Sequence, residues 1–166
     1  QIVKIFGLKT IAVSRTLQKE KQLKEIGYDE VLALNDEKFE ENILDITNGV
    51  GFDLSYDCVG GSHFYKLVNT VKARGLIVNY GNLDLDYSKI YTLPLLGKRV
   101  QIRFHSIFDT MRFENQRIEG VNWINKQMQE KSLVPIISKS FNLDQIVEAH
   151  KYIGEGNQLG KTIVKT

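Results

Sequence analysis

Short apolar runs and amphipathic stretches alternate along the whole chain. Residues 10–13 (TIAV) read as a strand closed by Ser14 and Arg15. Residues 17–26 then read as a helix with Leu23 and Ile26 on one side and lysines elsewhere, halted by Gly27, because a glycine just past the last periodic residue is where helices end. Residues 31–34 (VLAL) form the next strand, closed by Asn35 and Asp36, and a helix over about 38–46 sets Phe39, Ile43 and Ile46 on one face. TNGVGFD breaks it, and residues 54–58 return to strand. GGSHFYKLVNTVKARG reads as turn, helix and stop, with Phe64, Leu67, Val68 and Val71 at the helical period. LIVNYGN is a buried strand running into a glycine turn. RVQIRFHSIF is extended, residues 112–131 are mostly helical, VPIISKSFN is extended, LDQIVEAHKYI is a helix and GKTIVKT a closing strand.

Short β-branched strands separated by helices of about ten residues predict a parallel sheet covered on both faces. With right-handed crossovers this is an α/β, Rossmann-like doubly wound sheet. No strand and glycine-rich turn precede residue 10. QIVKIFG has the look of a helix's last turn, so the first strand of such a sheet and its phosphate-binding turn are expected to be lacking. Residues 1–166 are expected to form a single nucleotide-binding domain shortened at its N-terminal side.

Composition narrows the function without naming it. Net charge is +2, from 22 basic and 20 acidic side chains, which gives no long-range field to draw in nucleic acid or anionic lipid. No apolar run approaches the roughly 20 residues that span a bilayer. A lone Cys58 excludes an internal disulfide and a thiolate-rich zinc site, and a reduced, cytoplasmic setting is the simplest expectation. His63, His105 and His150 are scattered, so no metal site is expected. His63 reads as a surface residue, as does His150, and Trp123 as packing.

In a doubly wound sheet, ligands bind beyond the carboxyl ends of the strands. Ser14, Arg15 and Lys19 follow the first strand, Val59, Gly60 and Gly61 the third, Tyr80, Gly81 and Asn82 the fourth, and Phe104, His105 and Ser106 the fifth. The glycines are either tight turns or places where backbone approaches a ring or sugar unobstructed. A sheet that binds NAD places an acid after the strand held here by residues 10–13, to accept from the ribose hydroxyls. A hydroxyl and two cations suit a 2′-phosphate instead; the alternative is a solvated basic start to a helix.

The order GLKTIAVSRTLQKEKQLKEIGYDEVL, ITNGVGFDLSYDCVGG, LVNTVKARGLIVNYGN and KSLVPIISKSFNLDQIVEAHKYIGEGNQLGKTIVKT resembles the medium-chain dehydrogenase/reductase superfamily, most closely its zinc-free quinone oxidoreductase and enoyl-thioester reductase branch. The resemblance implies NADPH as cofactor and hydride transfer to a quinone or activated double bond. It implies that Ser14, Arg15 and Lys19 meet the adenosine 2′-phosphate. Val59, Gly60, Tyr80, Gly81 and Asn82 would line the ribose and nicotinamide, Phe104 and His105 would close over the nicotinamide, and Lys161 of the late Gly160-Lys161 pair would lie near the cofactor. No catalytic residue is expected within these residues, because the resemblance puts the small-molecule substrate pocket in a preceding domain that is missing here. This chain by itself is therefore expected to be inactive. Homo-oligomerisation is expected, with RVQIRFHSIF the candidate strand. A non-catalytic Rossmann-like association module is the competing class, and an adenosylmethionine-dependent methyltransferase core a weaker one, since the acid and glycine loop it uses are lacking.

Overall fold

The computed structural model describes residues 1–84, 86, 90–156 and 158–166. In chain order it contains helix α1 (Ile2–Ile5), strand β1 (Ile11–Ser14), α2 (Glu20–Glu25), β2 (Glu30–Ala33), α3 (Phe39–Ile46), β3 (Phe52–Asp57), α4 (Phe64–Thr70) and β4 (Val71–Asn79). It continues with α5 (Thr92–Lys98), β5 (Gln101–Phe104), α6 (Ile107–Arg112), α7 (Glu114–Gln129), β6 (Ile137–Asn142), α8 (Ile146–Gly154) and β7 (Lys161–Lys165). Every strand pairing among the described residues is parallel: β1 with β2, β3 with β4, β4 with β5, and β6 with β7. The α/β class and its parallel strands are as the alternation of the sequence predicts.

The strands hydrogen-bond as three groups, β1–β2, β3–β4–β5 and β6–β7. Among the described residues β1 and β3 are each paired on one edge only. Val13 of β1 and Leu54 and Tyr56 of β3 are correspondingly exposed. The first two groups are joined through side chains. Leu32, Phe39 and Ile43 form one buried cluster, Phe64, Leu67, Val68, Val71 and Ile77 another, and Phe52 packs against both. Lys66 reinforces the joint: its Nζ donates to the Leu34 carbonyl at 2.9 Å and lies 5.4 Å from the centre of the Phe39 ring.

Three local differences from the sequence reading have physical causes. Val71 is the first residue of β4 and not part of the preceding helix; it pairs with Phe52 and is fully buried. A bulge follows, in which Arg74 takes φ of 61° and Gly75 sits against the Asp53 carbonyl. The turn before β3 depends on Gly51, at φ 92°, where a Cβ would lie 2.3 Å from the Thr70 carbonyl oxygen. Helix α5 forms where no helical period is visible, with Pro94 in its first turn, where a missing N–H costs nothing. Residues 17–26 divide into a short 3-10 turn, Leu17–Lys19, and α2, which ends as expected before Gly27 at φ 107°.

Candidate functional site

A cleft of about 530 Å³ opens beyond the carboxyl end of β1. Ser14, Arg15, Thr16, Gln18 and Lys19 line one side, Leu34, Asn35 and His63 the other, and Gly156 closes it from the distant α8–β7 turn. The chain leaves β1 through two local hydrogen bonds. Ser14 Oγ donates to the Thr16 carbonyl, and Thr16 Oγ1 accepts from the Gln18 amide, which caps the 3-10 turn. Parallel pairing fixes the floor, with the Leu34 amide donating to the Ser14 carbonyl at 2.8 Å. No carboxylate is found among the described lining residues.

The structure thus brings Ser14, Arg15 and Lys19 together, but in different states. Arg15 is exposed, with no hydrogen-bond or ion-pair partner among the described residues. Lys19 is half-buried, and its ammonium donates to the carbonyls of Gly156 and Gln158. His63 corrects the sequence reading: its side chain is only 15% exposed and lies in the wall of the cleft, with Nδ1 4.0 Å from Asp84 Oδ2. It opens α4 immediately after the glycine turn, so the turn carries it inward. His150 is exposed, as expected. Trp123 packs as expected, stacked on Phe6 with centroids 6.3 Å apart.

The two glycine turns sit side by side and are built around Asp57, a residue the sequence reading did not single out. Its buried carboxylate accepts from the amides of Val59 and Gly60 and from Asn79 Nδ2 at 3.0 Å, so one side chain ties the end of β3 to the end of β4. The D-x-V-G spacing of an Asx turn is the signal that could have revealed it. Gly60 adopts φ 61°, and a Cβ there would meet Asn82 Oδ1 at 2.3 Å; at Gly81 it would meet the Cys58 carbonyl at 2.7 Å. Gly81 is required by the close approach of backbone and Gly60 by its positive φ, whatever else approaches them. Asp84 continues the turn: its carboxylate accepts from the Asp86 and Ser62 amides, which hold it below the usual carboxylate range, with Ser62 Oγ and His63 adding to the effect. The Tyr80 phenol is pushed up to about 12, first by desolvation and then by the Cys58 thiol beside it, so it stays a neutral donor at ordinary pH.

Other predicted site residues lie apart from the cleft. The His105 amide donates to the Asn79 carbonyl at 2.9 Å, which places it and the exposed Phe104 beside the β4 turn. Lys161 begins β7, exposed, with its amide donating to the Ile136 carbonyl at 2.8 Å. Among the described residues no group of three or more His, Cys, Asp or Glu is arranged to hold a metal ion, and none of their helices is long and apolar enough to cross a membrane.

Comparison with known proteins agrees with this architecture. Residues 26–164 match the family model described as zinc-binding dehydrogenase. A 2-haloacrylate reductase from a Burkholderia species is 24% identical over 95% of this chain and 48% of its own length. An acryloyl-coenzyme A reductase from Sulfurisphaera tokodaii is 28% identical over 99% of this chain and 46% of its own. Among solved structures, a mycobacterial protein complexed with NADPH superposes with a TM-score of 0.87 at 18% identity, covering 99% of this chain and 52% of that one. The chain spans about half the length of the curated relatives it matches. The metal in the family's name finds no donor set among the described residues, whereas the cleft beyond β1 has the open space and the unpaired guanidinium that a nucleotide phosphate calls for. By its match, its fold and the order of its motifs, the chain belongs to the zinc-binding dehydrogenase family of the medium-chain dehydrogenase/reductase superfamily.

Proposed function

We propose that the chain is the NADPH-binding part of a zinc-independent oxidoreductase that reduces a quinone or a double bond conjugated to a carbonyl or thioester. The observation that carries the cofactor choice is the cleft beyond β1, which presents Ser14 and the unpaired Arg15 and no carboxylate among its described lining residues. A carboxylate there would favour ribose hydroxyls and repel a 2′-phosphate; a guanidinium pairs with the phosphate. The relatives' names, reductases of haloacrylate and acryloyl-coenzyme A, favour an activated alkene as substrate.

When bound, the reduced nicotinamide supplies a hydride to the electron-poor carbon of the acceptor, and a proton completes the reduction. The chain's own residues bind and orient. Ser14 and Arg15 would hold the adenosine end. The Asp57-braced turns carrying Val59, Gly60, Tyr80, Gly81 and Asn82 would present backbone to the ribose and nicotinamide. Phe104 and His105 would cover them, and Lys161 would approach from β7. The remainder of the full-length enzyme would supply the substrate pocket and a strand between the unpaired edges of β1 and β3, so this chain by itself would turn over no substrate. Copies would associate through the edge of β5 that β4 leaves free, in a cytoplasmic setting.

Titration of nicotinamide fluorescence with NADPH and NADH tests the cofactor choice. Arg15→Ala is expected to weaken NADPH roughly 10- to 100-fold, the size of a charge-assisted hydrogen bond, and to leave NADH unchanged. Equal affinity for the two cofactors in the unaltered protein would end the NADPH reading, and binding of neither would favour an association module.

A further inference from the structure

Lys19 and Arg15 stand four residues apart in one cleft wall, and resemblance alone would give them one task. Their contacts differ. Lys19 Nζ donates to the Gly156 carbonyl at 2.8 Å and to the Gln158 carbonyl at 3.0 Å, reaching across 137 and 139 residues of chain to the α8–β7 turn. In that turn Gln158 Oε1 is buried without a donor among the described residues. Gly156, at φ 67°, lies directly under Arg15, and a Cβ there would come within 3.0 Å of the guanidinium. An ammonium has three N–H donors, and Lys19 commits two of them to these carbonyls. Arg15 commits none to a described residue.

We propose that Lys19 is a positioning residue: it pins the α8–β7 turn as the closing wall of the cleft, and Arg15, resting on Gly156, is the cation that meets the ligand's phosphate. The phosphate assignment of Arg15 rests on the NADPH reading above; the strut does not. In consequence, Gly156 of the turn after α8 belongs to the nucleotide site through its backbone, and the charge that favours a 2′-phosphate resides in Arg15.

Hydrogen exchange on the intact, nucleotide-free protein reads the strut directly. The reporters are the amides of Gly156 and Lys161, which are hydrogen-bonded to the carbonyls of Ile153 and Ile136 on either side of the turn. Lys19→Met is expected to speed their exchange about tenfold or more, because two charge-assisted hydrogen bonds are lost. Lys19→Arg, which can still donate to both carbonyls, should restore much of the protection, and Arg15→Met should leave it intact. Exchange at Ile77 and Val78, in the buried core, controls for global unfolding. Adenosine 2′-monophosphate and adenosine 5′-monophosphate then serve as binding probes. Lys19→Met should weaken both by a similar factor and keep the ratio between them, and Arg15→Met should bring that ratio close to one. Unchanged exchange in Lys19→Met would overturn the strut, as would loss of the 2′-preference in Lys19→Met with the turn still protected, which would make Lys19 a phosphate ligand. If the unaltered protein binds neither nucleotide, the NADPH reading fails, and the exchange result still decides the strut.

Discussion

The stretch from Thr10 to Asn79 and the stretch from Tyr91 to the C-terminus differ in how they bury apolar surface. In the first, Leu32, Phe39 and Ile43 form one buried cluster and Phe64, Leu67, Val68, Val71 and Ile77 another, bridged by Phe52, and Ala12, Val31, Ala33 and Val78 are buried as well. In the second, only Phe141 and Ala149 among the described apolar residues are buried, and Leu93, Leu96, Phe104 and Phe108 are each more than 70% exposed. Helix α7 runs 16 residues and buries only Gln127. The first stretch therefore holds most of the buried core, with Leu95, Val100 and Ile102 of the second packed against it, and most of the cleft stands on it. The second lends the cleft one wall, the Gly156 turn, tethered across the cleft by Lys19. A site with one rigid side and one tethered side can hold geometry at the adenosine end while its closing wall gives way.

The largest break in this comparison comes from Phe64, 2% exposed at the centre of the β3–β4–α4 cluster. Phe64→Ala should cost about 3–5 kcal/mol, transfer and cavity together, read as a drop in the urea midpoint by circular dichroism. The sole Trp123 sits in the second stretch against Phe6, so its fluorescence reports that stretch separately. If the two stretches differ in stability as their burial does, fluorescence in the unaltered protein changes at lower urea than circular dichroism. Coincident transitions would show one cooperative unit.

Gly51→Ala comes next. Its Cβ would strike the Thr70 carbonyl and the Lys72 amide, both backbone, at a φ of 92°, and the cost should be about 1–3 kcal/mol or more. Gly27→Ala sharpens the result. Its φ of 107° is just as unfavourable, yet nothing lies within 4 Å, so it carries backbone strain alone and should cost visibly less in the same urea titration.

A smaller effect concerns Asp29, which ties α1 and β1 together. Its carboxylate accepts from Lys4 Nζ at 2.5 Å, the Thr10 amide at 2.7 Å and Thr10 Oγ1 at 2.9 Å, and these hold it well below the usual carboxylate range, Lys4 first. A depressed folded-state pKa stabilises above the ordinary value of 3.8 and loses that contribution as pH falls through the folded value. Below about pH 4 the unaltered protein should therefore lose stability more steeply than Asp29→Asn, with the gap narrowing in high salt; parallel acid limbs would remove Asp29 from the account.

The same division governs what could be read from the sequence. Between Thr10 and Asn79, apolar periodicity matches burial, so strands, helices and most of the core were legible. The exception was Val71: it keeps the helical period but is drawn into β4 by its pairing with Phe52, a long-range contact that periodicity does not register. Beyond Tyr91 many apolar residues are exposed, and those that pack inward, such as Leu95, Val100 and Ile102, keep no clear helical period, so α5, with Pro94 and Gly97 inside it, passed unseen. In the cleft, the grouping of Ser14, Arg15 and Lys19 was legible because a strand end places them together. The engagement of Lys19 with Gly156 was invisible, since backbone carbonyls 137 residues away leave no mark on sequence. Asp57 and His63 were missed for a related reason: each acts through a turn whose path only the fold reveals.

Phe108 gives the smallest effect and the sharpest discrimination. It is 77% exposed, beside Ile107 at 59% and close in sequence to Phe104 at 71%. A side chain so placed has little transfer energy to lose on truncation. Phe108→Ser should therefore shift the unfolding midpoint by no more than about 0.5 kcal/mol, as surface substitutions do. If β5 and α6 form the self-association surface, the same substitution should lower the apparent mass in sedimentation velocity while leaving affinity for adenosine 2′-monophosphate untouched, because the cleft at the end of β1 lies on other elements. A loss of 2 kcal/mol or more at a concentration where the protein is monomeric would mean that the second stretch has a core of its own, and the contrast between the two stretches would have to be abandoned.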